Sequence, residues 1–205
     1  MKQKSQLLRR IALVLTLLLL AGSLIGCESG HGKSLSDIPS ATSSSATTDS
    51  SQPGGTEQSD AENESDFPGS YTVPDGWVKM EKYSTENKIF YAEEGHEEDE
   101  LPDNISVEVK TNRYSAEDHM KFRDAIVQQL TMQASSVGAE LIGEGTFTDQ
   151  EDILYIFTIS EEDVVTKQFY IVGDKRYCLI HLTNFTGSES ADEAAQAMAD
   201  SFVWD

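Results

Sequence analysis

The chain has 205 residues, with 36 Asp and Glu against 15 Lys and Arg, a formal charge of −21. Nucleic acid and anionic lipid headgroups are held largely by Lys and Arg, so this balance excludes DNA and RNA as expected partners. Two cysteines, Cys27 and Cys178, are too few for a disulfide framework.

The first segment reads as an export signal. Lys2, Lys4, Arg9 and Arg10 precede a stretch from Ile11 to Leu20 that is apolar apart from Thr16. A membrane-spanning helix is the competing reading. However, Ile11 to Ile25 gives 15 residues, with Gly22 and Ser23 inside, against the roughly 20 that a span requires. Leu24-Ile25-Gly26-Cys27 follows directly and resembles the lipobox of bacterial lipoproteins: a branched apolar residue, an apolar residue, a small residue and a cysteine. The resemblance implies that residues 1–26 are removed and that Cys27 becomes a diacylated N-terminus. It also implies attachment to the cell membrane on its extracytoplasmic face. Two acyl chains suffice for stable anchoring. The mature chain would then hold 11 Lys and Arg against 36 acids, a charge of −25, and Cys178 would have no partner for a disulfide.

Residues 27–66 form the second segment. Ala41 to Ser51 is a run of Ala, Ser, Thr and one Asp, followed by Gly54-Gly55 and the acids Glu57, Asp60, Glu62, Glu64 and Asp66. With almost no large apolar side chain beyond Leu35 and Ile38, it cannot offset its chain entropy by burial and is expected to be a disordered tether. A chain of that length reaches roughly 30–40 Å, further when its charges repel.

Residues 67–205 are expected to form one α+β domain. Pro74-Asp75-Gly76 predicts a tight turn between Tyr71-Thr72-Val73 and Trp77-Val78-Lys79-Met80. Lys88 to Ala92 reads as a strand. In Ile105 to Lys110, three aliphatic residues alternate with Ser106, Glu108 and Lys110, which predicts one buried and one wet face. Ser115 to Asp118 suggests a capping box opening a long helix, with Phe122, Ile126, Gln129, Leu130 and Gln133 on one face and Gly138 as its stop. Four strands follow over 140–148, 153–160, 164–172 and 176–185. The Ile153 to Ile159 run is apolar on both faces, as in a central strand, and Gly143-Glu144-Gly145 suggests a bulge or bend. Ala191, Ala195, Met198 and Phe202 line one stripe of a closing helix, whose first turn carries Asp192 and Glu193. Consecutive strands on short turns argue for a largely antiparallel sheet, packed by a long helix and a C-terminal helix.

This combination is similar to the PsbP-like superfamily, whose members include many bacterial lipoproteins. The residues that carry the resemblance are Val73-Pro74-Asp75-Gly76-Trp77, Ser115 with Phe122, Tyr170-Ile171-Val172-Gly173 with Tyr177, and Ala199-Asp200-Ser201-Phe202. It implies a PsbP-like α/β/α sandwich from about Tyr71 to Val203, in a family of adaptors and assembly factors more than of enzymes. No residues here match a Ran-binding or photosystem-docking surface, so neither function is carried over.

Candidates for chemistry are few. The loop Glu93-Glu94-Gly95-His96-Glu97-Glu98-Asp99-Glu100 is the densest polar run of the domain. Glu93, Glu94, His96, Glu97 and Asp99 could hold calcium through oxygens, or zinc if His96 joins, although the spacing is not that of an EF-hand. The bland reading is a solvated hairpin loop. His181 and Cys178 lie three apart on a strand and therefore point to opposite faces, which disfavours a nucleophile–base pair. His119 sits on the apolar side of its helix, and His31 lies in the tether. Phosphate-loop, nucleophile-elbow and metalloprotease motifs do not occur. Two functions follow. One is a non-catalytic binding or assembly module of the cell envelope, with an envelope protein or wall ligand as its partner. The other is an envelope enzyme, or a weak divalent-cation binder, with a site near the 93–103 loop.

Overall fold

The computed structural model describes residues 67–205, so the expected export signal, the expected lipidation of Cys27, His31 and the expected tether lie outside the described residues. The described elements are β1 (Gly69–Ser70), β2 (Trp77–Lys79), β3 (Lys88–Glu93), β4 (Asn104–Thr111), α1 (His119–Val137), β5 (Glu140–Phe147), β6 (Ile153–Ser160), β7 (Val165–Val172), β8 (Arg176–Asn184), α2 (Glu189–Asp200) and β9 (Val203–Trp204). The architecture is α+β, as the sequence implies. Seven strands form one antiparallel sheet in the order β2-β3-β4-β8-β7-β6-β5, and β1 pairs with β9 in a small ribbon.

Strand alternation gives the sheet two faces, each covered by one helix. On one face Ile105, Val107, Phe169, Cys178, Ile180 and Leu182 pack against Ala191, Ala195, Met198 and Ala199 of α2. On the other, Tyr155, Phe157, Tyr170, Val172, Tyr177 and Leu179 pack against Phe122, Ile126, Leu130 and Ala134 of α1. The four α1 residues recur every fourth position and make a single stripe. Gly138 ends α1 at φ 73°, its amide donating to the Ala134 carbonyl. An L side chain is strained at that angle, so the glycine stop has a physical cause. The turn before β2 also holds: the Trp77 amide donates to the Pro74 carbonyl at 3.2 Å, with Gly76 at φ 82°.

Four expectations need correction. Ser115 opens a short 3₁₀ turn over Ala116–Asp118, yet its hydroxyl reaches the Asp118 carboxylate at 3.4 Å and caps no amide. The Gly143-Glu144-Gly145 run makes no bulge, because β5 stays in register with β6 from Glu140↔Ser160 to Phe147↔Ile153. The glycines instead make room for neighbouring rings. A Cβ on Gly143 would lie 2.8 Å from the Phe157 ring, and one on Gly145 would lie 3.2 Å from that of Tyr155. The β6 strand is covered on both faces but sits one place in from the sheet edge, beside β5. Finally, the face of β4 expected to be wet is largely buried. Ser106 is 1% exposed and Glu108 7%, with the Glu108 carboxylate shared by Lys88 Nζ at 3.4 Å and Lys110 Nζ at 3.0 Å. Two ammonium groups offset the desolvation that would otherwise keep that carboxylate in water.

The ends of the domain are clasped together. Phe202 stacks on Tyr71 and meets Trp204 edge-on, while Gly69 faces the Phe202 ring so closely that a Cβ would lie 2.5 Å from it. The Tyr71 and Tyr91 hydroxyls share a hydrogen bond of 2.8 Å. Burial pushes the Tyr71 phenol well above its ordinary range. Among the described residues no helix is long and apolar enough to cross a membrane.

Candidate functional site

The acidic loop between β3 and β4 gathers few of its side chains. Glu93, Glu94 and Asp99 are exposed, and the turns run through the backbone, with the His96 amide on the Glu93 carbonyl and the Asp99 amide on the His96 carbonyl. The structure joins His96 Nδ1 to Asp99 Oδ2 at 2.8 Å, with both side chains more than half exposed. The Asp99 hydrogen bond and charge hold the imidazole above its usual pKa. Glu97 is not part of that pair. Among the described residues no group of three or more His, Cys, Asp or Glu side chains is placed to hold a metal ion.

The other sequence candidates take packing positions. Cys178 and His181 lie on opposite faces of β8: Cys178 is in the α2 core, where burial pushes its thiol up. His119 Nδ1 is 2.7 Å from the Tyr155 hydroxyl, and the two rings stack. His181 is 3% exposed, and burial, with Lys88 and Lys110 nearby, lowers its pKa to about 3. That shift has a measurable consequence. The unfolded imidazole titrates near pH 6.5, so below that value the unfolded state takes up a proton that the native state refuses. Stability should therefore be full above pH 6.5 and fall between 6.5 and 3, by up to about 1.4 kcal/mol per pH unit. Thermal melts of the wild type and His181→Gln from pH 7 to 4 should diverge across that window, and parallel curves would refute the assignment.

A groove lies between α2 and the β5–β7 end of the sheet, on the face that α2 only partly covers. Its volume is about 510 Å3. Register builds the floor: Ile156 of β6 pairs with Phe169 of β7 and with Glu144 of β5, and Ile156 and Phe169 are 7% and 1% exposed. The walls carry five carboxylates, from Glu144, Glu189, Asp192, Glu193 and Asp200, against one cation, Lys167. Lys167 Nζ sits 2.9 Å from Asp192 Oδ2, whereas Asp192 Oδ1 is enclosed without a hydrogen-bond partner. Both Asp200 oxygens accept from Gln196 Nε2 at 3.0 Å. Thr158 and Gln196 are the uncharged polar side chains of the lining. Its chemistry is that of a receptor for positive charge joined to apolar groups.

Sequence reasoning assigned Asp192 and Glu193 to the helix dipole and missed this groove. The signal was present as a second stripe on α2: Glu189, Asp192, Glu193, Gln196 and Asp200 recur at helical spacing beside the apolar stripe. What the spacing does not encode is the opposite wall, because Glu144 is brought there by two strand pairings of different sequence separation.

No family model matches the chain, and no curated protein matches it. Among solved structures, it is similar to the cyanobacterial PsbP of Synechocystis sp. PCC 6803, with 14% identity and a TM-score of 0.45 over 67% of this chain and 87% of that one. A Bacteroides thetaiotaomicron structure gives 15% identity and a TM-score of 0.38 over 67% of this chain and 45% of the other. Likeness at that level carries no functional argument, and the functional reading rests on the groove.

Proposed function

We propose that the chain is a lipoprotein, held through Cys27 at the extracytoplasmic face of the cell membrane. Its domain is a non-catalytic binding module whose groove receives an extended basic segment of an envelope partner. The observation that carries this reading is the groove's composition: five carboxylates and one lysine around an Ile156–Phe169 floor. A single exposed ion pair contributes roughly 0.2–1 kcal/mol. Five carboxylates converging on one cleft focus the field, and the floor adds about 25 cal/mol for each Å2 of apolar surface it covers. The residues outside the groove leave the preference for cations in place, since residues 67–205 hold 28 acids against 10 Lys and Arg.

A fluorescent peptide alternating lysine and leucine tests it by anisotropy. Glu144 and Glu193 are both exposed, so Glu144→Lys/Glu193→Lys reverses the groove without disturbing the core. It should weaken binding by at least tenfold, about 1.4 kcal/mol, and added salt should weaken the wild type as well. Reversing Glu97 and Glu98 in the acidic loop should leave affinity within twofold. Equal losses in both variants would mean general charge attraction and would refute the groove.

A further inference from the structure

Strand β5 closes one end of the seven-strand sheet, and among the described residues no strand pairs with its outer edge. Its eight residues exceed the three of β2, the strand at the other end. Such an edge presents a row of unpaired amides and carbonyls, and a long one is a template for a further strand. Apart from Leu141, every residue of β5 is exposed.

Register fixes which groups point outward. The Thr148 amide donates to the Asp152 carbonyl at 2.9 Å, one step beyond the pair Phe147↔Ile153. Backbone groups of an antiparallel strand turn alternately to its two sides. Ile142, Glu144 and Thr146 therefore bond to β6, while Leu141, Gly143, Gly145 and Phe147 aim their amides and carbonyls away from the sheet. The two glycines leave that stretch of main chain without side-chain cover.

The two faces of this edge differ. Even-numbered residues of β5 share the α2 side, because Glu144 pairs with Ile156 of the α2 core. That side carries Glu140 and Glu144, with Ile142 between them and 57% exposed. The odd-numbered residues share the α1 side, where Phe147 is 65% exposed. An incoming strand with cations on one face and apolar groups on the other matches both sides. A second copy of this chain does not. Antiparallel pairing through β5 would put the glutamates of both copies on one face, where like charges repel.

We propose that β5 is the docking edge for the basic segment, which joins the sheet as a further antiparallel strand. The inference rests on the groove reading above and states how the segment is held. Lysines of the segment stand on the α2 side, where their ammonium groups meet Glu140 and Glu144 and their methylene stems cover Ile142. Its apolar residues stand on the α1 side beside Phe147. Residues directly opposite across an antiparallel pair share a face. The backbone of the apolar residues, and not that of the lysines, therefore bonds to Leu141, Gly143, Gly145 and Phe147.

N-methylated versions of the lysine–leucine peptide test the pairing by anisotropy, with the full chain in detergent. Methylation at every leucine removes the donors that face β5 and should weaken binding at least tenfold, whereas methylation at every lysine should leave it within about twofold. Amide exchange of the 15N-labelled full chain is the second readout. Gly143 and Gly145 should exchange fast in the free protein and at least tenfold more slowly with saturating peptide, while the Glu144 amide is slow in both. Equal losses from the two methylations, or a larger loss from lysine methylation, would overturn the edge pairing and leave the groove reading intact. So would glycine amides that stay fast with peptide bound, or that are already protected without it. No binding of the unmodified peptide would refute both readings.

Discussion

Phe122→Ala should cost about 3–5 kcal/mol of stability, the range for deleting a fully buried phenylalanine. The ring is 0% exposed and is the point at which α1 meets the sheet. Its centroid lies 5.1 Å from that of Tyr177, 6.0 Å from Tyr170 and 6.2 Å from Tyr114. Truncation leaves a cavity among three large rings, two of them pinned on β7 and β8 and the third, Tyr114, in the loop after β4, so the site collapses poorly. A domain of this size has roughly 5–15 kcal/mol in total, so about a fifth of its stability or more should disappear. Urea unfolding followed by tryptophan fluorescence measures the change. Met132→Ala, on the outer face of the same helix and 63% exposed, should shift stability by no more than about 0.5 kcal/mol. If the two variants unfolded alike, α1 would not be held by its Phe122 stripe.

The second large effect concerns the proposed anchor. Cys27→Ser removes the thiol that would receive lipid, and each buried methylene of an acyl chain contributes about 0.8 kcal/mol to membrane attachment. Two chains therefore hold far more strongly than any protein contact described above. The expected product is a precursor that retains residues 1–26 and takes up no fatty acid. Gel mobility and labelling with a clickable palmitate analogue read both properties. A Cys27→Ser chain that is still labelled and shortened would refute the lipobox reading.

Much of the fold was legible because local pattern and tertiary environment agree. Ile105, Val107 and Val109 alternate, and all three face the α2 core. Phe122, Ile126 and Leu130 repeat at helical spacing, and all three are buried. Gly138 and Gly76 mark turns because those turns need positive φ. Legibility failed where partners come from distant strands. Ser106 and Glu108 looked solvent-facing, since alternation says which residues share a face but not whether that face is enclosed. Gly143 and Gly145 looked like a bulge, since nothing local reveals that the Phe157 and Tyr155 rings lie over them. The acidic loop drew attention by density alone, yet it brings together His96 and Asp99. The groove's acids are spread between β5 and α2 and form a wall only after the sheet has closed.

The central claim is that the cleft between α2 and β5–β7 is the binding surface of a non-catalytic module. Amide chemical-shift mapping by NMR tests it most directly, with the lysine–leucine peptide titrated into 15N-labelled protein. The expected shifts center on Glu144, Lys167 and the Glu189–Asp200 helix, with the Glu93–Asp103 loop unmoved. Shifts confined to that loop, or spread evenly over every acidic residue, would contradict it.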